Sequence, residues 1–275
     1  MTSKFAAVIG RPIAQSLSPV IHRAGFASTG ADWTYSAIDA GSEDLPAIIQ
    51  RLREGAMHGV SVTMPLKSDV CSYLDRLDPA VRVLSSANTV SVADDGTLCG
   101  HSTDGDGLCD SIDEAELSIV GRDFLILGAG GAARSIAEAL VRRGSRRVAI
   151  SNRTIDRAND LVARIDGTIV ADALEIEVPR ADVIVNATKV GMGTSEVPFD
   201  TAMLRSRTAV VDIVYHPIDT ELLKQARAVG CPTIDGLRML IHQAARQQFI
   251  WTGASPDVMA MTEAARRALE SRPVT

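Results

Sequence analysis

The run Gly128-Ala129-Gly130-Gly131-Ala132-Ala133 directly follows the apolar stretch Phe124–Leu127 and precedes an apolar helical stretch that reaches Arg143. Its spacing is G-x-G-x-x-G/A, with Gly128, Gly130 and Ala133 in the three small positions. The first glycine permits a tight turn, the second lets backbone approach a pyrophosphate, and the third small residue packs helix on strand. The helix N-terminus adds amide donors and a positive dipole end. With a strand before it and a helix after it, the run reads as a dinucleotide site. The next strand ends in Ser151-Asn152-Arg153-Thr154, and Arg157 follows a turn later. An NAD site carries Asp or Glu at that strand end for the ribose 2′-hydroxyl. Here no carboxylate comes before Asp156. Two guanidiniums suited to a 2′-phosphate stand there instead. NADP is expected over NAD; the other reading of the two arginines is a solvated pair at a helix start.

Two further groups could do chemistry. In GRPIAQSLSP (Gly10–Pro19), Ser16 and Ser18 place two hydroxyls near a helix start. They suit a carboxylate, or one caps the helix and the other is spare. Lys67 follows a strand and Pro65, and Asp104 opens a polar helix. A lysine beside a carboxylate passes a proton to and from a substrate hydroxyl. Spacing alone does not bring them together and favours reading them as two solvated charges. His22, His101 and His242 read as packing or surface residues, because nothing pairs them in a metal spacing. No metal is expected.

These groups need elements to position them. The 275 residues suggest roughly two domains. Phe5–Ile9, Trp33–Ile38 and Val60–Thr63 read as strands, with helices starting near Ser18-Pro19, at Ser42-Glu43-Asp44 and from Leu66. Ser18 reads as the N-cap of the first of these. Leu45, Ile48, Ile49 and Leu52 fall on one face of the second helix. Asn88–Ala93 and Leu98–His101 flank Asp94-Asp95-Gly96, a hairpin turn. Beyond Asp104, Val148–Ser151, Val183–Val185 and Val210–Val214 join Phe124–Leu127 as buried strands alternating with helices. That pattern indicates an α/β fold with a parallel sheet covered on both faces. Two helices close the chain from Gly236.

Composition narrows the partners. Lys plus Arg is 28 against 34 Asp plus Glu, a net charge of −6, which disfavours nucleic acid and anionic membranes. Aromatics at 4% give no stacking platform for single strands. No stretch approaches the roughly 18 apolar residues of a membrane helix. The N-terminal apolar run is too short for a secretory leader. Cys71, Cys99, Cys109 and Cys231 form no CxxC pair and read as reduced structural thiols. A cytoplasmic location is expected.

The ordered set is more specific than any part. GRPIAQSLSP, VSVTMPLK (Val60–Lys67), SANT (Ser86–Thr89), STDG (Ser102–Gly105), GAGGAA, NRT, NATKVGM (Asn186–Met192), DIVYHP (Asp212–Pro217) and DGLRMLIHQA (Asp235–Ala244) occur in this order. The whole chain resembles the shikimate dehydrogenase family. The resemblance implies an N-terminal α/β substrate domain (1–105), a Rossmann-type doubly wound NADP domain (106–236), and C-terminal helices (237–275) that return to the first domain. It implies reversible reduction of 3-dehydroshikimate to shikimate in a cleft between domains, by a monomer or homodimer. By matched motif, Ser16 and Ser18 hold the substrate carboxylate. Thr63, Asn88 and Gln243 hold ring hydroxyls, with Lys67 and Asp104 as the catalytic pair and Tyr215 at the substrate mouth. Gly128, Ala129, Gly130, Gly131, Ala132, Thr188 and Gly236 line the cofactor, and Asn152, Arg153, Thr154 and Arg157 take its ribose phosphate.

The chain departs from the family pattern at Gln15 (a frequent His), Arg23 (Asn), Ser61 (Asn) and Ser102 (Asn), and Lys189 stands where a neutral residue is common. Ser61 and Ser102 adjoin the pocket motifs and bear on substrate preference. A quinate/shikimate dehydrogenase is the alternative within the family; a non-catalytic sensor of a dinucleotide and a cyclic acid is the alternative outside it.

Overall fold

The computed structural model describes residues 3–271. It is α/β, and it divides into two compact units. One holds the chain up to Thr103 together with the part from Ile241 onward; the other is Asp104–Leu240.

The first unit contains β1 (Lys4–Gly10), α1 (Ser18–Thr29), β2 (Trp33–Asp39), α2 (Leu45–Arg53), β3 (Gly59–Val62), β4 (Arg76–Leu77), α3 (Pro79–Leu84), β5 (Thr89–Val92) and β6 (Leu98–His101). Its sheet runs β2-β1-β3-β5-β6-β4. β1 pairs in parallel with β2 and β3, while β5 is antiparallel to both β3 and β6. β1 is buried on both faces, as its apolar run requires. Ala6 and Val8 pack with Phe26, Tyr35 and Trp251. Ala7 and Ile9, pointing the other way, pack with Leu45, Ile48, Ile49 and Leu52 of α2. The β5–β6 hairpin turns at Asp94-Asp95-Gly96, where Gly96 takes φ +82° and Asp95 Oδ1 accepts the Thr97 N–H at 2.9 Å.

The second unit contains α4 (Asp104–Glu114), β7 (Asp123–Leu127), α5 (Gly131–Arg142), β8 (Arg147–Ser151), α6 (Ile155–Val162), β9 (Thr168–Val170), α7 (Leu174–Arg180), β10 (Val183–Asn186), β11 (Ala209–Asp212), α8 (Glu221–Val229) and β12 (Thr233–Ile234). The order β12-β11-β10-β7-β8-β9 is parallel throughout. It is the doubly wound order, with its switch point between β7 and β10. Then α9 (Gly236–Thr252) carries the chain from the second unit into the first, and α10 (Val258–Glu270) packs on α1. No helix among the described residues is long and apolar enough to cross a membrane.

Three local expectations need correction. No α-helix starts at Leu66: a turn follows Pro65, then a short 3-10 segment at Asp69–Tyr73. Ser68, Asp69 and Ser72 lie there, and Ser72 Oγ bonds the Asp69 carbonyl at 2.8 Å, a local bond that competes with helix. Ser18 is not the N-cap of α1. Leu17 occupies that position, and Ser16 Oγ accepts the Ser18 N–H at 3.2 Å. β11 stops at Asp212 rather than Val214, because the Asp212 carboxylate accepts the Val214 N–H at 3.0 Å and turns the chain.

Candidate active site

In the first unit, one sheet end gathers the expected substrate residues. The Thr63 N–H donates to the Ile9 carbonyl at 2.9 Å, tying the end of β3 to β1. Gly10, at φ +154°, makes that approach possible: a Cβ there would lie 2.4 Å from Thr63 Cγ2 and 2.6 Å from the Met64 carbonyl oxygen. The loop that leaves Gly10 is then held by the Arg11 N–H on the Met64 carbonyl (2.9 Å), and it carries Ser16 to the start of α1. The Lys67 carbonyl accepts the Ala87 N–H at 2.8 Å, and the Asn88 carbonyl accepts the Val62 N–H at 2.7 Å. Lys67 and Asn88 are thus fixed to the same strand ends. Asn88 is buried; its Oδ1 accepts the Thr103 N–H at 2.8 Å, and its Nδ2 donates to Thr103 Oγ1 at 2.9 Å and toward Gln243 Oε1 at 3.5 Å. Ser18 and Gln243 are buried, and Ser16, Thr63 and Lys67 are half-buried.

Sequence reasoning missed the network behind this group. Gln247 lies one helical turn after Gln243 on α9. Its Oε1 accepts from Ser61 Oγ (2.6 Å) and pairs with His22 Nε2 (3.1 Å), and its Nε2 donates to the Asn88 carbonyl (3.3 Å). The Tyr35 hydroxyl donates to Ser61 Oγ at 2.7 Å. Gln248 Nε2 meets His22 Nδ1 at 3.2 Å, so Nδ1 is the acceptor and Nε2 carries the proton. His22 stacks on Tyr35 with ring centroids 4.2 Å apart. Burial pushes its pKa down to about 3, so the ring stays neutral. Burial also pushes the Tyr35 phenol up. The one available signal was the i, i+4 spacing of Gln243 and Gln247.

In the second unit, the glycine-rich loop and the loop after β10 meet at the switch point. Gly128 takes φ +110°, and a Cβ there would lie 2.9 Å from the Ala187 carbonyl oxygen and 3.3 Å from Thr188 Cγ2. Gly130 precedes α5 with extended backbone, and a Cβ built on it meets nothing within 4 Å. Open space therefore lies over backbone that presents the helix N-terminus. Arg134 Nε, on the first turn of α5, is buried without a hydrogen-bond partner among the described residues. Ala129 is buried, Ala132 half-buried and Gly131 exposed. An open, glycine-lined helix N-terminus with an unmatched donor on its first turn fits a dinucleotide pyrophosphate.

Thr188 is locked by Asn186, whose Oδ1 accepts from the Thr188 N–H (3.2 Å) and hydroxyl (2.7 Å). Asn186 Nδ2 donates to Asp212 Oδ1 at 2.9 Å, and Thr220 Oγ1 donates to Asp212 Oδ2 at 2.7 Å. Burial pushes the Asp212 carboxyl up, and these donors oppose the shift. Asp212 thus ties together the loop holding Thr188 and the loop holding Tyr215, a role that sequence reasoning did not assign. Gly236 is buried against the second loop: a Cβ there would lie 2.4 Å from the Ile213 carbonyl oxygen. After β8, Asn152 Nδ2 donates to the Thr154 carbonyl at 2.7 Å. Arg153 and Arg157 are exposed. Asp104, half-buried, is the first residue of α4. Lys67 and Asp104 belong to different units. Among the described residues, no group of three or more His, Cys, Asp and Glu side chains could hold a metal ion.

Residues 8–90 match the family described as the shikimate dehydrogenase substrate binding domain, and residues 112–239 match shikimate / quinate 5-dehydrogenase. The chain belongs to the shikimate dehydrogenase family. Residues 236–266 match that family's C-terminal domain. A shikimate dehydrogenase (NADP(+)) of Rubrobacter xylanophilus is 41% identical, with 95% of this chain and 94% of the relative covered. The crystal structure of shikimate 5-dehydrogenase from Thermus thermophilus, in complex with NADP(H) and shikimate, has a TM-score of 0.90 at 37% identity, covering 96% of this chain and 99% of that one. A quinate dehydrogenase from Corynebacterium glutamicum in complex with NAD has a TM-score of 0.88 at 32% identity, covering 96% and 99%. Of these two neighbours, one is named for shikimate and holds NADP(H), and the other is named for quinate and holds NAD.

Proposed function

We propose that the chain reversibly reduces 3-dehydroshikimate to shikimate with NADP. The observation that supports this most directly is the gathering of Thr63, Lys67, Asn88 and the α9 residue Gln243 at one sheet end. Hydroxyl, ammonium and amide groups there suit a ring acid carrying several hydroxyls. Bound cofactor supplies or takes up a hydride at the substrate's ring carbon. The chain's own groups do the rest. Ser16 and Ser18 hold the carboxylate, and Thr63, Asn88, Gln243 and Tyr215 orient the ring. Lys67, as ammonium, polarises the ketone, and with Asp104 it moves a proton to the oxygen that becomes the hydroxyl. In the oxidising direction the same pair accepts that proton. The amides of Gly128 to Ala132 would hold the pyrophosphate, and Thr188 and Gly236 would line the rest of the cofactor. Asn152, Arg153, Thr154 and Arg157 take the ribose 2′-phosphate. The four cysteines Cys71, Cys99, Cys109 and Cys231 are free thiols, which suits the reducing cytoplasm where we place the enzyme.

Steady-state kinetics on shikimate or quinate, each with NADP or NAD, test the reading. The highest kcat/KM is expected for shikimate with NADP, and Lys67→Ala should lower kcat by about 10²–10⁴. A preference for quinate moves the chain to the alternative within the family. No turnover with any pair, alongside retained dinucleotide binding, makes it a sensor.

A further inference from the structure

The first N–H groups of a helix have no partner within it, and a buried helix start must find acceptors elsewhere. α4 starts at Asp104. The N–H of the next residue, buried Gly105, donates at 2.8 Å to Ser135 Oγ, a hydroxyl on α5 that is itself 4% exposed. Gly105 sits so close to α5 that a Cβ would lie 2.0 Å from the Ser135 carbonyl oxygen and 2.8 Å from Ala139 Cβ. Only a residue without a side chain permits that approach. Further along, Arg142 Nη2 donates to Asp106 Oδ1 at 2.9 Å, and Arg143 Nη2 donates to Asp113 Oδ2 at 2.7 Å. α4 is thus bound to α5 from first turn to last, most tightly at the residue after Asp104. α5 is the helix that opens at the glycine-rich loop. Ser135 lies four residues beyond Gly131, about 6 Å along its axis.

We propose that Ser135 is a positioning residue: its hydroxyl, seated against Gly105, fixes the first turn of α4 and so holds Asp104 to the helix that follows the dinucleotide loop. The inference rests on the proposed catalytic role of Asp104. Its consequence is that Asp104 takes its place from the unit that carries the glycine-rich loop. Ser135 does not touch the reacting atoms; it acts through Asp104.

The test compares Ser135→Ala, Asp104→Asn, the double variant and Arg143→Gln in the full chain. Ser135→Ala is expected to lower kcat about tenfold or more, the scale of a slightly misplaced catalytic group. NADPH affinity, read from NADPH fluorescence in a binding titration, should not change. In the Asp104→Asn background, Ser135→Ala should cost almost nothing further, because both changes act on one group. Arg143→Gln loosens the far end of the same helix pair and should leave kcat unchanged. A normal kcat in Ser135→Ala beside a slow Asp104→Asn overturns the inference alone. So does an independent further loss in the double variant, or weakened NADPH binding that accounts for the whole defect. A normal kcat in Asp104→Asn overturns the functional reading, and this inference with it.

Discussion

Ser16 and Ser18 stand two positions apart, yet their hydroxyls are differently placed. Ser16 Oγ accepts the Ser18 N–H, so it serves the start of α1 as well as any ligand. Leu17, at the cap position, makes no side-chain cap bond. Ser16→Ala should therefore lower the melting temperature and raise KM for shikimate, with the cap part costing about 0.5–2 kcal/mol. Ser18→Ala should raise KM for shikimate at an unchanged melting temperature. Equal effects on KM for shikimate and for NADP in both variants would leave the pair as structural hydroxyls only. Arg153 and Arg157 pose a different problem, because both are exposed. Each charge-assisted bond to a phosphate is worth roughly 1.5–3 kcal/mol. Replacing both with Gln should then reduce the preference for NADP over NAD by at least about tenfold. NAD use should change little, and the preference of the parent should shrink with added salt. A parent enzyme that prefers NAD would sink this reading of the loop.

The elements legible in the sequence are those whose burial leaves a pattern. β1 and β7 carry the unbroken apolar runs Phe5–Ile9 and Phe124–Leu127 because they are covered on both faces, and α2 shows its stripe Leu45, Ile48, Ile49, Leu52. The Asp94-Asp95-Gly96 turn marked the β5–β6 hairpin. By contrast, β4, β9 and β12 have two or three residues each, too few for a period to show. α7 carries Pro179 inside it, which argues against helix in isolation. α8 was recoverable: Thr220 caps it and Gly230 closes it in the left-handed conformation. Within the site, Gln243 came from motif matching. Gln247, Ser135 and Asp212 did not stand out, because the partners that tie them to the site, Asn88, Gly105 and Asn186, lie 159, 30 and 26 residues away. Such partners are set by how strands and helices pack, which no local pattern encodes.

On the scale of the molecule, one of the two units can be followed by its own fluorescence. Trp33 and Trp251 are the two tryptophans of the chain, and both belong to the unit that contains β1 and α10. Tryptophan fluorescence therefore reports that unit's unfolding. At its core His22 is fully buried and neutral, between Gln247 and Gln248 and against Tyr35. Its folded pKa is pushed down to about 3 from 6.5 by burial. Above about pH 6.5 the ring is neutral in both states, and proton linkage adds nothing. Below that, the unfolded chain binds a proton that the folded chain refuses until about pH 3, so stability falls as the pH falls. The slope approaches about 1.4 kcal/mol per pH unit in that window. His22→Gln removes the titrating group at the expense of the stack on Tyr35. Its stability at pH 7.5 should be lower than that of the parent, but it should fall less steeply between pH 6.5 and 4.5, so the two curves converge. Urea unfolding followed by tryptophan fluorescence across that range measures both slopes. Carboxylates that titrate in the window do so in both proteins and cancel in the difference. Parallel curves would mean that His22 is protonated in the folded unit, and that its Nδ1 does not accept from Gln248.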